Sequence, residues 1–153
     1  VDLATGFRRM ASLTDLAEMA DSLSVHAPLN ATTAKLIDQT VFQAMKPSAV
    51  LINTARGPIV DVDALYVALR DNHIAGAGLD VWPVEPPAAD HPLLAAYGAG
   101  EAWLTGRFLL SPHAAFYSPP GLHDLRSKAV ATAALRLRTG EARNCQNLAF
   151  LTG

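Results

Sequence analysis

The sequence contains little cysteine, no long apolar run and no excess of either charge. Its single cysteine, Cys145, can form no internal disulfide and lies far along the chain from any cluster of His and Asp, so we interpret it as an ordinary small residue rather than a nucleophile. No apolar run approaches the roughly 18 residues that span a membrane, and the segment VDLATGFRRM lacks the apolar core of a signal peptide. The 12 Lys plus Arg nearly balance the 14 Asp plus Glu, which indicates neither a nucleic-acid nor a membrane-surface partner. These absences predict a cytoplasmic protein.

Metal-binding patterns are also lacking. No set of His, Cys, Asp and Glu has the spacing of metal ligands, so we expect no metal site. His73, His91 and His123 lie in loop or helix-surface contexts, and we interpret them as ordinary surface histidines.

Apolar segments of strand length alternate with segments whose apolar residues recur at helical spacing. Strands are predicted over 23–27, 49–53, 74–81 and 108–111. Helices are predicted over 13–20, 36–45, 62–70 and about 121–138. Ser12 and Asp15 predict a capping box before the first helix, and Asp61 is the predicted N-cap of the third. Because this alternation is typical of right-handed βαβ crossovers, the sequence predicts an α/β fold with a parallel sheet.

Two glycine-containing segments depart from the regular pattern. The GAG stretch at 76–78 lies inside a predicted strand, where glycine commonly marks close approach by another backbone or a ligand. The segment 85–106 is rich in Pro, Gly and Ala and has no sustained period, so it is predicted to be a long surface loop that can include one short helix.

Polar residues follow the predicted strands at their carboxyl ends, which is where ligands bind in open α/β sheets. The residues concerned are His26, Ala27 and Pro28 after the first strand, Thr54, Ala55 and Arg56 after the second, Asp80 and Glu85 after the third, and Ser111, Pro112 and His113 after the fourth. One cation, two carboxylates and one imidazole are therefore expected to converge on one edge of the sheet. These are the components of an acid–base site with a clamp for an anion.

Each of the candidate site residues has a second interpretation. Arg56 follows an apolar strand, and a buried guanidinium needs an anionic partner because an uncompensated buried charge costs several kcal/mol. That partner is either a substrate carboxylate or Asp61 or Asp63 at the start of the next helix. Glu85 is alternatively a solvated loop charge, and His113 a core histidine bonded to the backbone.

Four blocks of the sequence resemble, in order and spacing, the second half of the D-isomer-specific 2-hydroxyacid dehydrogenases. The blocks are HAPLNATTAKLID, MKPSAVLINTARGPIVDVDALYVAL, IAGAGLDVWPVEPP and LLSPHAAFYS. That family includes phosphoglycerate, glycerate and D-lactate dehydrogenases and the C-terminal binding protein corepressors. HAAFYS, together with RNCQN at 143–147, is most similar to the C-terminal binding protein and phosphoglycerate dehydrogenase-like branch. The resemblance runs from about Phe7 to Arg138.

The resemblance implies a Rossmann-type NAD-binding domain over 1–112, incomplete in this chain, and a C-terminal helical segment of the substrate domain over 113–153. The family's glycine-rich phosphate loop, G-x-G-x-x-G, has no counterpart here, nor does the acidic residue after it that holds the adenosine ribose. We therefore expect this chain to be a C-terminal fragment that begins at about the third strand of the NAD-binding domain. The full-length protein is expected to be a homodimer.

The resemblance also implies a role for each site residue. Arg56 would bind the substrate carboxylate and polarise the 2-oxo group, His113 would be the general acid, and Glu85 would pair with its imidazole. Asp80 would bind the nicotinamide carboxamide. The cleft for NAD would be lined by His26, Ala27, Pro28, Thr54 and Ala55, with Arg56 and His113 at its border.

Three functions follow from these roles. The first is reduction of a small 2-oxo acid to a D-2-hydroxy acid with NADH. The second is an NAD(H)-sensing, corepressor-like binding module, and the third is an inactive truncated remnant. The sequence leaves open which 2-hydroxy acid is the substrate and whether the cofactor is NAD or NADP, because the ribose-binding position lies outside the matched blocks.

Overall fold

A computed structural model of the chain describes residues 6–143. Cys145 and most of the RNCQN segment lie outside the described residues, so the interpretation of Cys145 stays a prediction. The chain divides into two compact units, Val1–Ala115 and Phe116–Gly153. Among residues 6–143, no helix is both long and apolar enough to cross a bilayer.

The first unit contains four strands alternating with four helices. In chain order the elements are α1 (Leu13–Met19), β1 (Ser22–Val25), α2 (Gln39–Ala44), β2 (Val50–Asn53), α3 (Val62–Arg70), β3 (Gly76–Leu79), α4 (Pro92–Ala99) and β4 (Phe108–Leu110). Short 3-10 turns lie at Gly57–Ile59 and Ala102–Leu104. All three strand pairs are parallel and the order in the sheet is β1-β2-β3-β4, which confirms the predicted parallel α/β fold.

The two faces of the sheet differ in burial. Leu23, Leu51, Ala77 and Phe108 are paired across the four strands, and all four are buried in one core with apolar residues of the helices. The next row along the strands points to the opposite face. Its members, Ser24, Ile52, Gly78 and Leu109, are exposed or half-buried, and Leu109 is 65% exposed. The first unit therefore has one packed face and one open face.

Local signals set the starts of two helices. Ser12 Oγ accepts a hydrogen bond from the Asp15 amide at 3.0 Å, and Asp15 returns one to the Ser12 amide at 3.1 Å, so the predicted capping box is confirmed. Asp61 accepts hydrogen bonds from the amides of Asp63 and Ala64 and caps α3 as predicted.

The predicted start of the helix over 36–45 is wrong. Asp38 is the N-cap, and its carboxylate accepts the Val41 amide at 3.1 Å, so α2 begins at Gln39. Ile37 instead forms an isolated parallel bridge with Val60, because its amide donates to the Ile59 carbonyl at 3.0 Å. Long-range backbone pairing therefore takes Ile37 out of the helix despite its apolar spacing.

Of the two glycine-containing segments, the first agrees with its prediction and the second only in part, because 85–106 also contains the 3-10 turn Ala102–Leu104 and places Leu93, Ala96 and Leu104 in the core. A Cβ added at Gly76 would lie 2.6 Å from the Arg107 carbonyl oxygen, which confirms the predicted close approach of another backbone. The segment 85–106 carries one short helix, α4, whose N-cap is His91 and whose C-cap Gly100 has a φ of 67°.

The second unit contains one long helix, α5 (Pro119–Thr139), which begins two residues before the predicted start. Ser118 is its N-cap and accepts the Gly121 amide at 3.0 Å. None of the residues of α5 is buried, and Leu125, Val130 and Leu137 are largely exposed.

Candidate active site

The loop after β3 and the loop after β4 meet through the side chains of Glu85 and His113. The Nδ1 atom of His113 lies 2.7 Å from Oε2 of Glu85, and Oε1 of Glu85 accepts the Trp82 amide at 2.9 Å. The His113 imidazole and then the Trp82 amide hold the pKa of Glu85 below its ordinary value of 4.5. His113 is partly accessible and so is not a core histidine, and Glu85 is bonded to His113 and to the Trp82 amide and so is not merely a solvated charge.

The backbone of His113 adopts a left-handed conformation with a φ of 52°. Residues other than glycine adopt this backbone conformation at a cost of roughly 1–3 kcal/mol, so it persists only where the surroundings enforce it. The His113 amide is fixed by the Asp80 carbonyl at 2.8 Å and the Ser111 carbonyl at 3.0 Å. The ring position is thus set by the turn that follows β4.

A buried carboxylate, that of Asp80, holds this turn together. Asp80 is 4% exposed, and its oxygens accept the Ser111 hydroxyl and the amides of Ala114 and Ala115, the latter two at 2.9 and 2.8 Å. Burial alone would raise the pKa of Asp80, but the Ser111 hydroxyl and the two amides outweigh it and keep the pKa below 3.8. Sequence reasoning assigned Asp80 only to the cofactor and missed Ser111 as its partner. The signal in the sequence was that Asp80 and Ser111 both lie at the ends of predicted strands, and the register places them side by side, directly after the Leu79–Leu110 pair.

Arg56 is exposed, so it is not the buried guanidinium that the preceding apolar strand suggested. Among residues 6–143, no carboxylate lies within ion-pair distance of its guanidinium. Asp61 pairs with Lys35 at 2.9 Å and Asp63 with His91 at 3.2 Å. The alternative of a salt bridge from Arg56 to the start of α3 is therefore wrong.

The turn that carries Arg56 is built by two residues that sequence reasoning missed, Asn53 and Gly57. The fully buried Asn53 side chain accepts the Ala55 amide and donates to the Arg56 carbonyl, each at 3.0 Å. A Cβ added at Gly57 would lie 2.0 Å from the Trp82 carbonyl carbon, so this turn packs directly on the backbone that leads to Glu85. The available signal was a buried strand running into Asn with a Gly four residues later.

The residues predicted after β1 lie at the same edge of the sheet. The Nε2 atom of His26 lies 2.8 Å from the Ser24 hydroxyl, and Ser24 belongs to the open face. Ala27 is half-buried, whereas Pro28 is exposed and its carbonyl accepts the Thr33 hydroxyl at 2.6 Å. His26, Ala27 and Pro28 therefore follow the carboxyl end of β1, at the edge of the sheet where the other candidate site residues lie.

A cavity of about 350 Å³ lies on the open face at the carboxyl ends of β2, β3 and β4. Its walls are Ile52, Thr54, Gly78, Leu79, Asp80, Leu109, Ser111, Ala114 and Ala115. Gly78 keeps one wall flat, because a Cβ there would lie 3.2 Å from Ile52 Cδ1. The cavity thus combines flat walls of small residues with the Asp80 carboxylate and the hydroxyls of Thr54 and Ser111. This combination suits a planar ring that carries an amide, as nicotinamide does.

A second cavity of about 340 Å³, here called the Trp82 cavity, adjoins the Glu85–His113 pair. It is lined by Trp82, Pro86, Pro87, Leu110 and Pro112, together with Asp80, Glu85, Ser111 and His113. Within residues 6–143, no group of three or more His, Cys, Asp or Glu side chains is arranged to hold a metal ion.

A parallel sheet with two cavities and a bonded Glu–His pair at its carboxyl edge has the arrangement in which open α/β sheets bind their ligands. Residues 2–115 match the family model described as "D-isomer specific 2-hydroxyacid dehydrogenase, NAD binding domain". The chain belongs to the D-isomer-specific 2-hydroxyacid dehydrogenases, a family of NAD(P)-dependent oxidoreductases, and carries their NAD-binding domain. The resemblance in the four sequence blocks is thereby confirmed.

Two sequence relatives illustrate the match. The chain is 49% identical over 90 residues to an (S)-sulfolactate dehydrogenase of Chromohalobacter salexigens, covering 59% of this chain and 29% of that protein. It is 41% identical over 116 residues to a glyoxylate reductase of Korarchaeum cryptofilum, covering 76% of this chain and 31% of that protein. The chain thus spans less than a third of the length of either relative.

Two solved structures share the fold. The NADPH-dependent glyoxylate/hydroxypyruvate reductase of Sinorhizobium meliloti, in complex with NADP and malonate, superposes with a TM-score of 0.76 at 34% identity, over 90% of this chain and 40% of that one. The D-isomer specific 2-hydroxyacid dehydrogenase of Lactobacillus delbrueckii ssp. bulgaricus, in its NAD-complexed form, gives 0.72 at 33% identity, over 88% and 42%.

Proposed function

We propose that this chain supplies the catalytic face of an NAD-dependent oxidoreductase that interconverts a small 2-oxo acid and its D-2-hydroxy acid. The observation that carries the proposal is the 2.7 Å contact between Nδ1 of His113 and Glu85, next to a cavity suited to nicotinamide. The likeness to a glyoxylate reductase and to a glyoxylate/hydroxypyruvate reductase supports the reaction class.

In this proposal His113 is the general acid–base group. Glu85 engages Nδ1 and fixes the tautomer and orientation of the ring, so that Nε2 can donate a proton to the 2-oxo oxygen during reduction. In the oxidative direction the same nitrogen accepts the hydroxyl proton. When bound, NADH supplies the hydride.

Arg56 holds the substrate in this proposal. An exposed guanidinium that has no carboxylate partner among the described residues is suited to bind a substrate carboxylate through two parallel hydrogen bonds. Gly57 keeps the turn of Arg56 against the backbone before Glu85, and this contact supports a common site for Arg56 and the acid–base pair.

The remaining cofactor residues are assigned on the same basis. Asp80 and Thr54 border the cavity on the open face. The Asp80 carboxylate would accept a hydrogen bond from the carboxamide N–H of the nicotinamide. His26, Ala27, Pro28 and Ala55 line the same edge of the sheet, and Arg56 and His113 stand at the border of the cleft.

The domain assignment and the state of the full protein also rest on the family resemblance. We assign 1–112 to the NAD-binding domain and 113–153 to the C-terminal part of the substrate domain. The boundary between the compact units, after Ala115, supports this division. A homodimeric, cytoplasmic full-length protein is part of the same proposal.

Titration with NADH tests the proposal most directly. We expect saturable quenching of protein fluorescence, followed by loss of nicotinamide absorbance when a 2-oxo acid is added. His113→Gln should abolish turnover while NADH binding is retained, and His73→Gln, which alters an exposed histidine outside the site, should change neither. A chain that folds but binds no NADH would instead be the inactive remnant.

A further inference from the structure

The polar groups that border the Trp82 cavity are already paired with one another. Asp80 is bonded to Ser111 and to two backbone amides, and Glu85 is bonded to His113 and to the Trp82 amide. Apart from these groups, the wall of the cavity consists of apolar side chains. These are Trp82, Pro86, Pro87, Leu110 and Pro112.

The same cavity offers little to a negatively charged group. Three of its wall residues are prolines, which have no backbone N–H to donate. Among the described residues that line it there is no Lys or Arg, whereas the carboxylates of Asp80 and Glu85 both border it. A phosphate or sulfonate placed there would meet like charge in a partly water-excluded space.

We propose that the Trp82 cavity receives the side chain of the substrate and selects 2-oxo acids with branched aliphatic or aromatic side chains over phosphorylated or sulfonated ones. This inference rests on the proposed function, because it takes the Glu85–His113 pair as the reaction centre. The cavity adjoins both residues of that pair, so a 2-oxo acid whose carbonyl faces His113 can extend its side chain toward Trp82 and Leu110. At about 340 Å³ the cavity has the size of a small-molecule site.

The indole N–H of Trp82 provides a test that does not depend on turnover. Of the two tryptophans, Trp103 lies outside the cavity, so Trp103→Phe identifies the Trp82 signal in nitrogen–proton correlation NMR spectra. Spectra of the chain, with and without NADH, are recorded against 4-methyl-2-oxopentanoate, phenylpyruvate, 3-sulfopyruvate and 3-phosphohydroxypyruvate. We expect saturable shifts of the Trp82 signal with the two apolar acids, at affinities at least about tenfold tighter than for the two anionic ones.

Variants locate the site and test the charge argument. Leu110→Ala removes part of the wall and should weaken binding of the apolar acids by roughly tenfold. Val84→Ala, in the same loop as Glu85 but 72% exposed and outside the lining, should leave it unchanged. Pro87→Lys, at an exposed position in the lining, adds a cation and should raise the affinity for 3-sulfopyruvate several-fold.

The results separate this inference from the proposed function. Equal or tighter binding of the sulfonated or phosphorylated acid, or no shift of Trp82 with any of the four acids, would overturn the assignment of the cavity. If NADH still binds, and if its affinity is the same in these variants, the proposed function stands. Failure of NADH to bind, together with selective shifts by the apolar acids, would overturn the proposed function and retain the apolar site.

Discussion

Gly57 shows how a residue with no side chain can determine the position of a charged one. Its Cα lies so close to the Trp82 carbonyl that an added Cβ would be 2.0 Å from the carbonyl carbon. We expect Gly57→Ala to lower the free energy of unfolding by about 1–3 kcal/mol or more, because two backbone segments must separate. Urea unfolding measures the loss. Gly98→Ala is the matched control, since nothing lies within 4 Å of its Cβ position, and an equal midpoint for the two variants would contradict the packing argument.

Arg56 should behave in the opposite way, with an effect on binding and none on stability. Its guanidinium is exposed and donates to the Ala55 carbonyl, so Arg56→Gln should leave the free energy of unfolding within about 0.5 kcal/mol of the parent value. Binding of a 2-oxo acid should weaken roughly tenfold to a hundredfold, because a charged bidentate contact is lost.

Binding measured in the presence of NADH, beside unfolding in urea, checks the prediction for Arg56. Arg70→Gln is the control, since Arg70 forms its ion pair with Asp71 at the far end of α3. Unchanged binding in the Arg56 variant, or a loss as large in the Arg70 variant, would remove Arg56 from the substrate site.

The sequence predicts the chemistry of single residues better than their surroundings. Arg56, Glu85 and His113 could be singled out because reactive side chains follow strands whose carboxyl ends share an edge. The two hydrogen-bond partners of the Asn53 side chain could not be predicted, because they lie within a turn that exists only once β2 is paired. The exposure of Arg56 was likewise hidden, since an adjacent apolar strand suggests burial.

At the scale of elements, the turn after β4 depends on the carboxylate that ends β3. Replacing Asp80 by Asn preserves its shape but presents an N–H to groups that are themselves donors, namely the amides of Ala114 and Ala115 and the Ser111 hydroxyl. We expect Asp80→Asn to lower the free energy of unfolding by about 1–3 kcal/mol. Hydrogen exchange at Ala114 and Ala115 should accelerate as the turn loosens.

Asp90→Asn is the control for this variant, because Asp90 is an exposed loop carboxylate. It should change neither the unfolding midpoint nor exchange at the turn. If Asp80→Asn leaves exchange at Ala114 and Ala115 as slow as before, the carboxylate does not hold the turn, and the left-handed conformation of His113 must be enforced by its backbone bonds alone.

Element boundaries follow local chemistry where a cap is present and tertiary pairing where it is not. The starts of α1 and α3 were predictable from Ser12 and Asp61, whose side chains bond to amides within the same turn. The start of α2 was not, because the backbone of Ile37 pairs with a segment that is distant in sequence. Apolar periodicity alone cannot distinguish these two cases.

At the scale of the whole molecule, the sheet is less enclosed than its sequence suggests. Parallel strands rich in apolar residues usually lie between two layers of helices. Here the row containing Ile52 and Leu109 faces an open side, while the row containing Leu51 and Phe108 is buried. Alternation along a strand tells which residues share a face, but an apolar residue on each face conceals which face is packed.

Several carboxyl groups link the folded state to acid pH, among them Glu85, Asp80 and Asp61. The pKa of Glu85 lies below 4.5, and that of Asp80 below 3.8. Burial raises the pKa of Asp61, but the hydrogen bond from Lys35 and those from backbone amides bring it below 3.8. Each group therefore binds fewer protons in the folded chain than in the unfolded chain at pH values near these pKa values.

This difference in proton binding predicts the direction of the stability change. Because the folded-state values are depressed, the stabilisation is fully present above the unfolded pKa values of 4.5 and 3.8 and is lost as the pH falls through the lower folded values. The urea midpoint should therefore decrease from about pH 6 downward and fall most steeply below about pH 4. Glu85→Gln and Asp80→Asn should each flatten this profile relative to Asp90→Asn. A midpoint that stays constant, or rises, on acidification would show that these carboxylates are not held in their ionised form by the folded chain.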